Sequence, residues 1–172
     1  MRGLERKGLD VVNIRLVKEP TLYGEESLTD TDQTIRFMQK YLSDFDREMV
    51  CVLNLNTHNE VLNMNIVSMG TVNQSLVSPR DVFKAAILSN ACGVILFHNH
   101  PSGRANPSAE DLAVTKKLLE AGRALDIEVL DHIIVGGYTG ASYSFRGHDL
   151  MDAGELEKRY RKKIEERYCY ER

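Results

Sequence analysis

The sequence predicts an α/β (α+β) fold in which a mixed β-sheet is flanked by helices. Three observations carry that expectation. Short apolar stretches of strand length (49–53, 94–97 and 129–135) alternate with amphipathic segments of helical spacing. Turn signals at 56–59 and 136–140 fold two of these stretches into hairpins, so the strand directions must be mixed. Finally, 172 residues with 42% hydrophobic content suffice for one domain with a proper core.

Taken in order, residues 1–12 carry mixed charge, and Val12–Val17 alternates as a strand closed by Pro20. An acidic, Ser/Thr-rich loop over 24–31 leads into a helix of about 13 residues, with Ile35, Met38, Leu42 and Phe45 on one face. Met49–Leu53 is apolar on both faces, as suits a central strand. Asn56–Asn59 turns the chain, and Val61–Val67 returns as its partner. Ser78-Pro79-Arg80-Asp81 opens a helix: serine caps, proline suits the first helical position, and an acid follows three residues after the cap. Val82, Phe83, Ala86 and Ile87 are expected inward, and the helix is expected to stop at Cys92-Gly93. Val94–Phe97 is the most apolar strand. Ser108 opens the next helix, running to about Leu125 with Leu112, Thr115, Leu118 and Leu119 inward. Val129–Val135 is a strand, Gly136–Gly140 a turn, and Ser142–Phe145 the hairpin partner. Glu155–Arg172 reads as a helix with Leu156, Tyr160, Ile164 and Tyr168 four apart. Its seven Lys/Arg against five Asp/Glu suit a solvated or core-docked terminal helix. The organisation is thus an N-terminal segment with one strand (1–29), a central domain (30–150) and a charged C-terminal helix (151–172).

The bulk composition excludes several classes. With 22 Lys+Arg against 25 Asp+Glu the net charge is −3, which argues against a protein built to coat phosphate backbones; DNA as a partner finds no support in it. No apolar run approaches membrane-spanning length, and the basic start is followed by no apolar stretch of signal-peptide type. Three scattered cysteines (Cys51, Cys92, Cys169) without a Cys-x-x-Cys suit a reduced, cytoplasmic setting, with Cys92 expected to be a small buried residue.

The chemistry concentrates after the strand Val94–Phe97, which runs into His98-Asn99-His100-Pro101-Ser102-Gly103. Two residues apart on an extended chain, His98 and His100 point to the same side. With Ser108 as N-cap, Asp111 stands at the third helical position, from which a compact loop can return its carboxylate to the histidines. Two imidazoles, a carboxylate and an open fourth position form the ligand set of a catalytic zinc. Taken singly, the same residues also read as surface histidines, loop punctuation and a plain capping box. His132, after Asp131 in an apolar strand, could ligate a metal or support a ligand, but reads more readily as a buried, hydrogen-bonded core histidine; His58 and His148 have no partner in sequence.

His98-x-His100-Pro101, six residues, then Ser108-x-x-Asp111 resembles the JAMM motif of the JAB/MPN metalloproteases. The segments Gly70–Asn73, Ser78–Phe83, Asn90-Ala91 and Leu130–Ile134 are similar to the bacterial RadC-like branch, a group long labelled a DNA-repair family. The resemblance implies a cytidine-deaminase-like, JAB/MPN-type architecture and hydrolysis of an amide or isopeptide bond in a peptide or protein substrate. It implies that His98, His100 and Asp111 hold Zn²⁺, and that Ser108 orients the water or stabilises the oxyanion. It also calls for an upstream glutamate as general base and acid. Glu48, just before Met49, matches that place, and Glu60 is its rival in a turn-like setting. Two other readings stand beside this one: a non-catalytic or DNA-repair-associated accessory protein that retains a metal site, and a metal-dependent nuclease. The nuclease would call for several carboxylates around a hard cation and a basic groove. The loop 103–107 and the segment Asn63–Asn73 are candidate substrate contacts, the latter by strand addition.

Overall fold

In the computed structural model, residues 16, 17, 22, 28, 30–70 and 77–169 are described. The elements run α1 (Thr31–Ser43), β1 (Met49–Leu55), β2 (Val61–Met69), α2 (Pro79–Leu88), β3 (Gly93–Asn99), α3 (Ala109–Leu125), β4 (Glu128–Gly136), β5 (Ala141–Ser144) and α4 (Ala153–Cys169), with 3₁₀ turns at Gly137–Thr139 and Arg146–His148. The five strands form one sheet in the order β2-β1-β3-β4-β5. β3 and β4 are parallel, joined through α3; the other neighbouring pairs are antiparallel. The sheet is therefore mixed and flanked by helices, as the alternation of patterns predicts. The strand expected over Val12–Val17 lies outside the described residues except for Leu16 and Val17, which are exposed and in no strand.

Both faces of the sheet are buried, and the strand period of two sorts its residues between them. Met49, Cys51, Leu53 and Leu55 of β1, with Ile95 and Phe97 of β3, pack against Met38 and Leu42 of α1. Val50 and Val52, with Val94 and Leu96, pack against Val82, Phe83 and Ala86 of α2 and Leu118 of α3. This sorting decides where the polar residues at the strand ends go. Continuing the same alternation, Glu48, His98 and His100 belong to the α2/α3 face and Asn99 to the α1 face. A third cluster joins Leu112 of α3, Ile134 of β4, Phe145, Leu150 and Leu156, so α4 docks through Leu156. No helix among the described residues is long and apolar enough to cross a membrane.

Three local expectations need correction. Helix α2 ends at Leu88, not at Cys92-Gly93, because Asn90 takes a left-handed conformation (φ 52°) and Ala91 N–H turns back to Ala86 O at 3.0 Å. Ile87 faces outward and Ala85 takes the inward place, since the arc centred on Val82 and Ala86 reaches Ala85 before it reaches Ile87. Cys92 is exposed rather than buried. Its backbone N–H is tied to Leu55 O and its carbonyl to Glu128 N–H, which spends the buried side of that residue on main-chain bonds.

Candidate metal centre

The site lies where β3 leaves the sheet beside the first turn of α3. His98 is the penultimate residue of β3, and His100 N–H still bonds Val135 O at 2.7 Å, so the strand geometry extends through both histidines. Their Nε2 atoms stand 2.9 Å apart. Gly103, at φ +81°, then turns the chain, and its N–H bonds His100 O. This turn packs tightly under β4: a Cβ on Gly136 would lie 2.5 Å from Gly103 O. Arg104 O accepts from His100 Nδ1 at 2.7 Å. The proton of that neutral ring therefore sits on Nδ1, and its Nε2 lone pair faces His98.

Ser108 caps α3 in a reciprocal box. Asp111 N–H donates to Ser108 Oγ at 3.0 Å, and both Ser108 N–H and Ser108 Oγ–H donate to Asp111 Oδ2 at 2.6 Å. Capping and site geometry coincide here rather than compete. The box holds the carboxylate by Oδ2, leaving Oδ1 3.2 Å from His98 Nε2, with Oδ2 3.5 Å from His100 Nε2. Ligand atoms of His98, His100 and Asp111 all lie within 4.8 Å of one another. The Ser108 hydroxyl proton is directed at Asp111, so in this geometry Ser108 acts on the carboxylate.

The electrostatics match a cation-binding cluster. Burial works to raise Asp111, but the neighbouring imidazoles of His100 and His98, which favour a negative charge beside them, and the Ser108 hydroxyl hold it well below the usual carboxylate range. Burial likewise pulls His100 down, yet Asp111, the Arg104 carbonyl and the charge of Glu48 outweigh it and raise His100. Three electron-pair donors with a single negative charge converge on one point. Two imidazoles with one carboxylate can hold a divalent metal of intermediate softness.

Glu48 and Glu60 stand at opposite ends of β1. The β1–β3 register pairs Val50 with His98; Glu48, two residues before Val50, follows on the same face by strand alternation, and its charge acts on His100. Glu60 is in the β1–β2 turn, where its carboxylate accepts from Asn56 Nδ2 at 2.8 Å, roughly 20 Å along the strand from the histidines. The segment carrying Glu48 is clamped from β3 by a residue absent from the sequence-level site. Fully buried Asn99 accepts from Met49 N–H at 2.7 Å and donates Nδ2–H to Arg47 O at 3.0 Å and Phe45 O at 3.3 Å. Two further residues close the site from behind: His132 of β4 and Thr115 of α3, both fully buried. His132 Nε2 lies 2.8 Å from His98 Nδ1, and Thr115 Oγ1 lies 2.7 Å from His132 Nδ1. Burial above all, and then repulsion from the like charge that His98 can carry, push His132 well below the ordinary imidazole value, so it is neutral. The signal for Thr115 was its i+4 spacing from Asp111, which puts both on one helix face. His132 carries no comparable local mark. Cys51 takes no part: burial pushes its thiol up to about 12.

The profile of the RadC-like JAB domain matches residues 28–150, most of the chain. A UPF0758 protein of Desulforamulus reducens is 50% identical over 106 residues, 62% of this chain and 47% of its own length. One from Caldanaerobacter subterraneus is 43% identical over 122 residues, 71% of this chain and 52% of its own. One from Rubrobacter xylanophilus is 50% identical over 111 residues, covering 64% and 47%. The chain spans about half the length of these curated relatives.

Proposed function

The chain belongs to the RadC-like JAB domain family, and from that premise we propose that it is a zinc-dependent hydrolase of the JAMM metallopeptidase type, cleaving an amide bond in a peptide or protein. The observation that supports this most is the convergence of His98 Nε2, His100 Nε2 and Asp111 on one point, with the outer nitrogen of His100 already committed to a carbonyl. Zinc held there supplies a Lewis acid and a water made nucleophilic near neutral pH. The donor set suits it: two borderline nitrogens and one oxygen leave a coordination position open, where a structural zinc would be closed by cysteine.

The chain's own residues divide the remaining work. Glu48, whose charge acts on His100, takes the proton of the attacking water and passes it to the leaving amine nitrogen. Ser108, through the capping box, holds Asp111 in place, and rotation of its hydroxyl would turn the same proton toward the oxyanion of the substrate. β2 is one of the two edge strands of the sheet, and its Met69 end is paired with Met49 beside Glu48. Ile66 and Met69 are exposed along it, a surface suited to an extended substrate segment.

The test is the metal content of the purified chain. About one zinc per chain is expected, lost in His98→Ala and Asp111→Ala. A fully folded chain that takes up no transition metal refutes the proposal, whereas a chain that binds zinc but cleaves no peptide leaves a non-catalytic accessory role. Glu48→Gln should keep zinc and lose hydrolysis of any peptide that the native protein cleaves; full activity would remove Glu48 as the base.

A further inference from the structure

With the rings of His98 and His132 both neutral, hydrogen-bond accounting behind the metal centre has one solution. Thr115 Oγ1 lies 2.6 Å from Asp111 O and 2.7 Å from His132 Nδ1. A carbonyl oxygen cannot donate, so the single hydroxyl proton of Thr115 belongs to Asp111 O. Thr115 Oγ1 must then accept from His132, which places the one proton of that neutral ring on Nδ1. His132 Nε2 is left as an acceptor, so the contact of 2.8 Å to His98 requires that His98 donate from Nδ1. His98 Nε2 is thereby stripped of hydrogen, and it is the atom that faces His100 and Asp111. The reversed chain of donors would press Thr115 Oγ1 against Asp111 O with no proton between them and would put a proton on His98 Nε2.

We propose that Thr115 and His132 are positioning residues, a buried relay that holds His98 in the one tautomer and ring orientation able to present Nε2 to a metal. The inference rests on the zinc-site reading above and deepens it. The relay begins at the backbone of Asp111, so the helix turn that delivers the carboxylate ligand also sets the tautomer of the histidine ligand. The ring of His132 is fixed independently of its nitrogens. It stacks on buried Phe145 with centroids 4.7 Å apart and planes 16° from parallel. Its backbone N–H is held by Asp131 Oδ1 at 2.7 Å, and the same carboxylate receives Arg146 N–H and Ser144 Oγ–H. A carboxylate is a commoner partner for a ligating histidine. In this fully enclosed position a neutral imidazole accepts the same bond without the desolvation cost of a second buried charge.

The experiment has two readouts. The first is the ¹⁵N imidazole spectrum of the metal-free wild-type chain on the alkaline side of the histidine titrations. It is expected to show His98 with a protonated Nδ1 and a bare Nε2; a proton on His98 Nε2 overturns the relay. The second is zinc affinity by chelator competition. His132→Phe keeps the ring volume and the Phe145 stack but removes both nitrogens, and Thr115→Val removes only the hydroxyl. Both are expected to bind zinc about 10–100-fold more weakly. Thr115→Ser and His132→Gln, which retain a hydroxyl and an acceptor, are expected within a few-fold of wild type. Wild-type affinity in folded His132→Phe or Thr115→Val overturns the proposal. Failure of the wild-type chain itself to bind zinc strikes the metal-site reading, whereas the His98 spectrum decides the relay in either case.

Discussion

Removing the Asn99 carboxamide should destabilise the protein far more than an ordinary polar truncation, because three main-chain groups of one segment converge on it. Asn99→Ala leaves Met49 N–H unpaired in a buried strand start, and an unmet buried donor costs about 1–3 kcal/mol. The two carbonyls are worth less. Arg47 is exposed and Phe45 half-buried, so water replaces much of what Nδ2 provided, leaving about 0.5–1 kcal/mol between them. The sum is about 1.5–4 kcal/mol, a large share of the roughly 5–15 kcal/mol that holds a domain together. With a urea slope of roughly 2 kcal/mol per molar, the unfolding midpoint should fall by about 1–2 M. Asn99→Asp sharpens the test. Its new carboxyl can still accept from Met49 N–H, but its second oxygen meets the two carbonyl oxygens in a buried place. Its pKa in the folded chain is therefore raised above the unfolded value, and the folded state binds more protons as pH falls. Relative to Asn99→Ala, the Asp variant should be the less stable at pH 7 and should recover as pH drops toward 5. Urea melts of both variants at the two pH values decide it. A loss under about 1 kcal/mol for Asn99→Ala, or no pH-dependent difference between the variants, would show that Asn99 does not clamp the Glu48 segment.

Three further outcomes are expected. Zinc affinity should rise with pH through the neutral range, because the metal must displace the proton that Asp111 and Glu48 favour on His100. Its raised pKa in the folded chain carries that competition above the ordinary imidazole value, beyond which the affinity levels off. Calorimetry in two buffers of different ionisation enthalpy should register about one released proton near neutral pH, and no released proton would contradict the assignment. Gly136→Ala drives a methyl to 2.5 Å from Gly103 O, so it should cost about 1–3 kcal/mol and, by displacing the loop that anchors His100 through Arg104 O, weaken zinc binding. Unchanged thermal unfolding and affinity would refute that coupling. Ser108→Ala removes both the cap of α3 and one of two donors to Asp111 Oδ2, with an expected loss of about 1 kcal/mol in urea and a measurable drop in zinc affinity.

Much of this protein is legible without coordinates because the relevant forces are local. The serine caps, the proline at the start of α2 and the short continuous apolar runs specify their elements within a few residues of chain, and His98 and His100 share a side by strand geometry alone. The capping box at Ser108 and Asp111 is likewise a four-residue matter. Helix ends were less legible, since a left-handed Asn90 ends α2 before the glycine that marks a stop. What depends on long-range pairing was out of reach. His132 looks like any buried histidine until β4 is laid parallel to β3 and α3 crosses over both, which sets it 34 residues away against His98 Nδ1. Asn99 looks like a spacer between two histidines until β1 pairs antiparallel to β3 and brings residues 45–49 onto its carboxamide. The donor types can be named from the chain alone, because they are covalent facts read at short spacing. Which nitrogen of His98 carries the proton and what holds the segment of Glu48 depend on the fold, because hydrogen-bond directions are settled by partners brought together across the sheet.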